Sequence, residues 1–412
     1  MTLAPSAPWD VIVIGAGPGG STTAALLAQA GQRVLVLEKE EFPRFHIGES
    51  LLPFSLPVLA RLGVEPDPAT FVYKRGAEFI CEATDRRSTF AFNMALPGPP
   101  RHAWQVERAS FDTLLRDRAV AYGATVRHGQ RVLDFQIDTD RVYVTTQSGT
   151  ETGRFLVDAS GQDRLIARRA KAVEPFRTLG KAAVFTHLHG LSRETLDEIG
   201  PATNDIRVMV IPEGWAWLIP LPDRRLSVGI VSRDRGLDEA RLTSYLDTSP
   251  LLRRWGQGTE RGPVRMIGNY SFRNSAPYGL RYACVGDAAC FLDPVFSSGV
   301  TLALTSGARL ADRLAVALDA GSEADSEFIA GVDRGMERGY TTFAALIDRW
   351  YNSKIIDNVF FGYAPENRLR DGVVSVLSGD VWREDNEFQN MLMKSRRQGW
   401  ELRDRTGLEN GA

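Results

Sequence analysis

The chain has 412 residues, 43% of them hydrophobic and 24% charged, which is the balance of a globular protein able to bury a sizeable core. Lys and Arg total 49 against 51 Asp and Glu, so the net charge of −2 gives no field to gather nucleic acid or anionic lipid. The three cysteines (Cys81, Cys284, Cys290) are too few and odd in number for a disulfide framework, and no histidine keeps a metal-ligand spacing with them. No signal segment precedes Asp10 and no apolar run nears the roughly 20 residues that span a bilayer, so the sequence predicts a cytoplasmic protein with no metal, nucleic-acid or membrane partner.

In chain order, Asp10-Val11-Ile12-Val13-Ile14 ends in the β-branched apolar run of a buried parallel strand. Gly15-Ala16-Gly17-Pro18-Gly19-Gly20 follows, then a small-residue helix over 21–30 that stops at Gly31. A second buried strand over 33–37 is closed by Glu38, which completes one crossover unit of about 30 residues. Phe111, Leu114, Leu115 and Ala119 stand at helical spacing over 111–122, and 135–146 alternates like a hairpin. From 174 to 278 the texture becomes alternating, with strands predicted at 183–185, 208–210, 215–221 and 226–231, an antiparallel sheet set into the first domain. The buried-strand pattern returns at Tyr282 and ends at Asp287, and beyond Gly299 the chain reads as helical, with an amphipathic stretch over 336–351.

The glycines carry the first chemistry. Gly15 permits the tight turn, Gly17 lets backbone approach a pyrophosphate, and Gly20 lets helix and strand pack closely. The helix N-terminus then offers free amides and partial positive charge to phosphate, and Glu38 stands where an acid meets an adenosine ribose. About 270 residues later, Cys284-Val285-Gly286-Asp287-Ala288-Ala289 resembles the motif with which flavoprotein monooxygenases hold FAD, and Arg108 in Gln105-Val106-Glu107-Arg108 resembles an arginine that lies near the flavin in that superfamily. Three separated matches in order point to FAD. The fold class expected is α/β: a Rossmann-like FAD-binding domain (1–80, 101–172, 279–320), an inserted antiparallel substrate domain (81–100, 173–278) and a helical C-terminal region (321–412) that covers the substrate site.

Further motifs resemble the flavin-dependent halogenases, in the branch that acts on phenols or pyrroles. They are Gly48-Glu49-Ser50-Leu51-Leu52-Pro53, the W-x-W-x-I-P pattern of Trp215, Trp217, Ile219 and Pro220, and the loop Asp293-Pro294-Val295-Phe296-Ser297-Ser298-Gly299-Val300. The resemblance covers about residues 9–310 and continues more loosely to Asp380. It implies a flavin hydroperoxide that a halide attacks to give hypohalous acid, with chloride or bromide held by backbone amides at Ser297, Ser298 and Gly299. It implies Lys74 as the catalytic lysine between flavin and substrate, acting as an ammonium on hypohalous acid or as an amine that forms a haloamine. Trp215, Trp217 and Pro220 are the implied signature beside flavin and substrate, although two tryptophans at i, i+2 also make good core.

Two departures bear on the substrate. Tryptophan halogenases carry a glutamate two residues before the Ser/Thr-Gly of the halide loop, where this chain has Phe296, and they have a longer C-terminal region. The resemblance therefore points to another base or a self-activated substrate, and to a phenol or pyrrole, free or tethered to an acyl or peptidyl carrier protein. NADPH-dependent hydroxylases carry an Asp-Gly pair where this chain has Asp158-Ala159-Ser160-Gly161, so reduced FAD is expected from a separate flavin reductase. An aromatic hydroxylase, a geranylgeranyl reductase-like enzyme and a non-catalytic flavin-binding protein are the rival readings. Trp350, Tyr351, Phe360 and Phe361 are candidate substrate lining or ordinary helix packing.

Overall fold

The computed structural model describes residues 8–176, 178–179, 182–200, 204–233, 236–362 and 368–394. Its first sheet has at its centre Trp9–Ile14, whose last four residues are buried on both faces, as its unbroken apolar run requires. Val34–Leu37 and Gly149–Asp158 flank it in parallel, and Thr125–Arg127 and Tyr282–Cys284 extend the parallel set outward. Val142–Thr146, Val132–Ile137 and Tyr278–Gly279 add antiparallel edges. The register aligns Ile14 with both Leu37 and Asp158, and Asp158 with Cys284. Four parallel strands thus end together, and a crevice outside such carboxyl ends is where doubly wound sheets bind ligands.

The helix Pro18–Gln29 starts with Pro at its first turn, where the missing N–H costs nothing, and buries ten of its residues. Small residues allow that burial: a Cβ on Gly20 would stand 2.0 Å from the Gly15 carbonyl oxygen, and one on Gly307 would stand 2.6 Å from the Gly19 carbonyl oxygen. Gly307 belongs to the long helix Ser298–Ala320, which packs against Pro18–Gln29 and makes one core with the sheet, including Val11, Val13, Leu304 and Leu314. Helix Arg108–Ala121 joins the same core through Phe111, Leu115 and Ala119, starting three residues before the first residue the spacing predicts.

The second sheet runs Glu260–Arg261, Ala182–His189, Arg225–Ser232, Gly214–Leu221, Ile206–Ile211, Gly76–Cys81 and Arg86–Ala91, with Arg265–Gly268 also on Ala182–His189. Every pair is antiparallel except Gly76–Cys81 with Ile206–Ile211. The strand Gly76–Cys81 runs across the expected division at 80/81 and lies wholly in this sheet. One face packs on helices Glu239–Thr248 and Pro250–Trp255 through Leu218, Val228, Leu242 and Trp255. The other carries the aromatic core of Phe79, Phe90, Trp215, Trp217 and Phe296, onto which Ser326–Asn352 and Arg368–Leu377 fold through Trp350 and Val374. Among the described residues no helix is long and apolar enough to cross a membrane, and no group of three or more His, Cys, Asp or Glu is placed to hold a metal ion.

Candidate active site

A single cavity of about 640 Å³ joins the strand ends of the first sheet to the aromatic face of the second. At its first end stand Gly15, Gly17, Glu38, Asp287 and Arg108. Gly15 has φ +97° and its Cβ would strike the Ala159 carbonyl oxygen at 2.5 Å, so only glycine makes this turn. Glu38 is buried, and its carboxylate accepts hydrogen bonds from the amides of Ala16 (2.7 Å) and Glu40 (2.9 Å), which fixes the acid at the lip of the glycine turn. Asp287 is part-buried. Burial raises its carboxyl to about 6, against the pull of Gln162, whose side-chain nitrogen donates to it at 3.2 Å.

Arg108, expected near the flavin, lines the cavity and is also tied to the protein around it. It is 4% exposed, grips Asp112 with two hydrogen bonds (2.8 and 2.9 Å) and donates to the carbonyls of Ile47 (2.6 Å) and Gly48 (3.3 Å). It therefore holds the Gly48-Glu49-Ser50 loop against the cavity. Gly48 has φ +104°, and a Cβ there would meet Arg108 Nη1 at 2.9 Å.

Lys74 does not line the cavity. Its side chain is 1% exposed, donates to Ser50 Oγ and the Leu51 carbonyl (both 2.9 Å), and stands 5.2 Å from the Phe92 ring centre. Burial drops its ammonium from the ordinary 10.5 to about 7, with Asp205 pulling it back up. Ser50, which does line the cavity, is the link between the two.

Trp215 and Trp217 form one wall, with ring centres 5.9 Å apart. Register explains it: Phe185 and Trp217 both pair across Gly229, and a Cβ on Gly229 would come within 2.3 Å of the Trp217 ring. Their polar edges are satisfied away from the cavity, Trp217 Nε1 donating to Ser227 Oγ (3.0 Å) and Trp215 Nε1 to the Tyr351 hydroxyl (2.9 Å), which donates to Asp293 (2.9 Å). Pro220 lies in the same strand but off the cavity, and buried Ser298, the first residue of helix Ser298–Ala320, does not line it either. Ser297 and Gly299 line it, Ser297 in the left-handed region (φ 56°) as the cap of helix Ser298–Ala320. The first amides of that helix have no intrahelical acceptor and carry its partial positive charge.

Gly20 packs behind the turn rather than facing the ligand space. Trp350 and Phe360 are core, ringed by Phe79 and Phe296, and Tyr351 stands one hydrogen bond behind the wall, so none of the four C-terminal aromatics lines the cavity. Arg44 escaped the sequence reading. It lines the cavity and pairs through Nε with Glu40 (3.4 Å) and through Nη1 with Asp112 (3.3 Å). A Cβ on Gly17 would have only Arg44 Nη2 near it, at 3.6 Å. Bare glycine backbone facing the Nη2 of an arginine whose Nη1 is held by Asp112 fits a diphosphate. The signal available was its position, six residues past Glu38 in the loop leading to Gly48.

The family model described as tryptophan halogenase matches residues 10–99 and 93–392. The chain belongs to that family. This flavin-dependent halogenase, which uses FAD and a halide, is 31% identical to the 1H-pyrrole-2-carbonyl-[peptidyl-carrier protein] brominase of Pseudoalteromonas luteoviolacea, over 93% of this chain and 96% of that one. Among solved structures it superposes on the flavin-dependent brominase Bmp2 with a TM-score of 0.81 at 30% identity, covering 94% of this chain and 98% of that one. The myxobacterial chondrochloren halogenase CndH gives a TM-score of 0.75 at 31% identity, over 93% and 96% of the two chains.

Proposed function

We propose that this halogenase places chlorine or bromine on a pyrrole or phenol whose acyl group arrives as a thioester on a carrier protein, and that a separate cytoplasmic reductase delivers the reduced flavin. The observation that carries the reading is the continuity of one cavity from the glycine turn, past the Ser297 loop, to the Trp215–Trp217 wall. The carrier-linked pyrrole named for the brominase relative supports the substrate class.

Gly15, Gly17, Arg44, Glu38 and Asp287 would hold the FAD, with Arg44 and the helix amides on the diphosphate and Glu38 on the ribose. When bound, the reduced cofactor with oxygen supplies the oxidising power that turns a halide ion into hypohalous acid. The amides that start helix Ser298–Ala320 would draw the halide by backbone charge alone. Trp215, Trp217 and Phe185 would give the ring an apolar aromatic seat that excludes water. Lys74 polarises hypohalous acid brought to Ser50. Its ammonium near pH 7 sits close to balance between charged and neutral forms. The domain division that best suits the sheets puts Gly76–Cys81 and Arg86–Ala91 with the substrate domain and leaves 321–412 as a helical buttress behind the wall.

The test is turnover with a flavin reductase, NADH, FAD, and chloride or bromide, on free and carrier-tethered pyrroles and phenols, read by mass shift. A halogenated ring that appears only with halide and oxygen is expected. Hydroxylated product, or flavin bleached directly by NADPH, would instead support a hydroxylase.

A further inference from the structure

Halogenating an aromatic ring leaves one proton to remove, and the position where tryptophan halogenases keep a glutamate holds Phe296, buried among Trp350 and Phe360. The cavity lining has five carboxylates. Glu38 is bound by two backbone amides at the glycine turn, Asp163 pairs with Lys39 (2.6 Å), Glu40 reaches Arg44, and Asp287 sits beyond the strand end beside Gln162. All four stand around the dinucleotide end. The fifth, Glu49, faces the second sheet.

Glu49 is 1% exposed, and its Oε1 is 2.7 Å from His187 Nε2. Its Oε2 is buried with no hydrogen-bond partner. His187 lies two residues along the strand from Phe185, on the same face of the sheet, and pairs across Ser227 with Ile219, one step along from the Trp217 row. Glu49 therefore closes one end of the aromatic wall. Its neighbour Ser50 turns the other way, to Lys74. The loop that brings Lys74 to the cavity through Ser50 thus brings a buried carboxylate oxygen beside it.

We infer that Glu49 is the base that takes the ring proton, and that His187 is its positioning residue. This rests on the proposed halogenase chemistry. The ring π pair forms the carbon–halogen bond while the halogen–oxygen bond breaks with its pair on oxygen, and the departing hydroxide leaves as water with a proton from Lys74. Glu49 Oε2 then takes the proton from the halogenated carbon, and the C–H pair returns to the ring. His187, whose side chain is 12% exposed against 1% for Glu49, gives that proton a way to solvent, and solvent recharges Lys74. A buried carboxylate with one oxygen fixed and one unsatisfied suits this step, because taking a proton there relieves the cost of an unpaired charge.

The experiment uses the FAD-loaded enzyme with its reductase and a ring-deuterated pyrrole-2-carbonyl carrier thioester as first probe, then whichever ring the product screen identifies. In the wild type, proton loss is fast and deuterium leaves kcat unchanged. Glu49→Gln should lower kcat by roughly 10²–10⁴-fold, the usual worth of a positioned base, with KM held and a primary deuterium isotope effect exposed. Glu49→Asp should recover part of the rate, and His187→Gln should show a smaller isotope effect. Wild-type kcat in Glu49→Gln overturns the inference, and so does a loss of rate with no isotope effect. Wild-type enzyme that fails to halogenate a diffusible β-diketone scavenger would instead sink the halogenase chemistry itself, which keeps the two failures apart.

Discussion

Lys74→Met separates what burial costs this protein from what the lysine does. The substitution keeps the length and apolar stem of the side chain but removes a group whose charged form is disfavoured inside the molecule. In the unfolded chain the ammonium titrates at 10.5, and in the folded one at about 7. Below pH 7 both states hold the proton and the burial cost is fully present. Above it the folded lysine has shed its proton while the unfolded one keeps it, so wild-type stability rises with pH until 10.5. Full development gives 1.36 kcal/mol per pH unit, and because the folded group is half titrated at pH 7, the rise from pH 7 to 9 is about 2 kcal/mol.

Lys74→Met lacks that term. The assay is urea unfolding of the FAD-loaded wild type and variant at pH 7, 8 and 9, with the difference between the two proteins as the readout, since every other titrating group is common to both. The wild type should gain about 2 kcal/mol on the variant across the range, and the variant should make no halogenated product at any pH. Parallel pH profiles would refute the reasoning, because they would mean that Lys74 titrates alike in both states and is not enclosed as Ser50, Leu51 and Phe92 enclose it.

Gly229→Ala drives a methyl to within 2.3 Å of the Trp217 ring and 2.6 Å of Phe185 Cβ, so urea unfolding should show a loss of about 1–3 kcal/mol. Halogenation should fall with it while FAD affinity, read by flavin absorbance titration, holds. Arg44→Ala should weaken FAD roughly 10- to 100-fold by removing a charge-assisted contact, with stability nearly intact because Asp112 keeps its two bonds to Arg108. Cys284 and Cys290 are free thiols that burial pushes well above their ordinary range, so neither should react with a thiol reagent at pH 8 until urea unfolds the chain.

The fold was most legible where one local rule decides it. Gly15 and Gly20 were legible as a turn because each excludes a side chain locally, Gly15 by its φ of +97° and Gly20 by the Gly15 carbonyl oxygen 2.0 Å from its Cβ position. The second sheet read as alternation, but the parallel pairing of Gly76–Cys81 with Ile206–Ile211 joins segments some 130 residues apart, and no period within either segment announces a partner. Arg108 was legible as a site residue and not as a clamp, since its grip on Ile47 and Gly48 spans about 60 residues. Trp350 and Phe360 sit on a helix and turn whose sequence cannot tell a wall from the packing behind it, and here they are the packing.

The substitution at Phe296 shows how far an absence can be read. From sequence it says only that a base is missing from one place. In the structure Phe296 stacks on Phe360 with ring planes 7° apart and meets Trp350 edge-on, so a carboxylate there would be buried against two aromatic rings. The apolar buttress that stiffens the Trp215 wall and a glutamate at that position exclude each other. Glu49 avoids the conflict, because its partner His187 comes from the polar end of the same wall and the loop that carries it is already pinned by Arg108. One loop then serves both halves of the step, with Glu49 on one side of the chain taking the proton from the ring and Ser50 with Lys74 on the other side bringing the halogen to it.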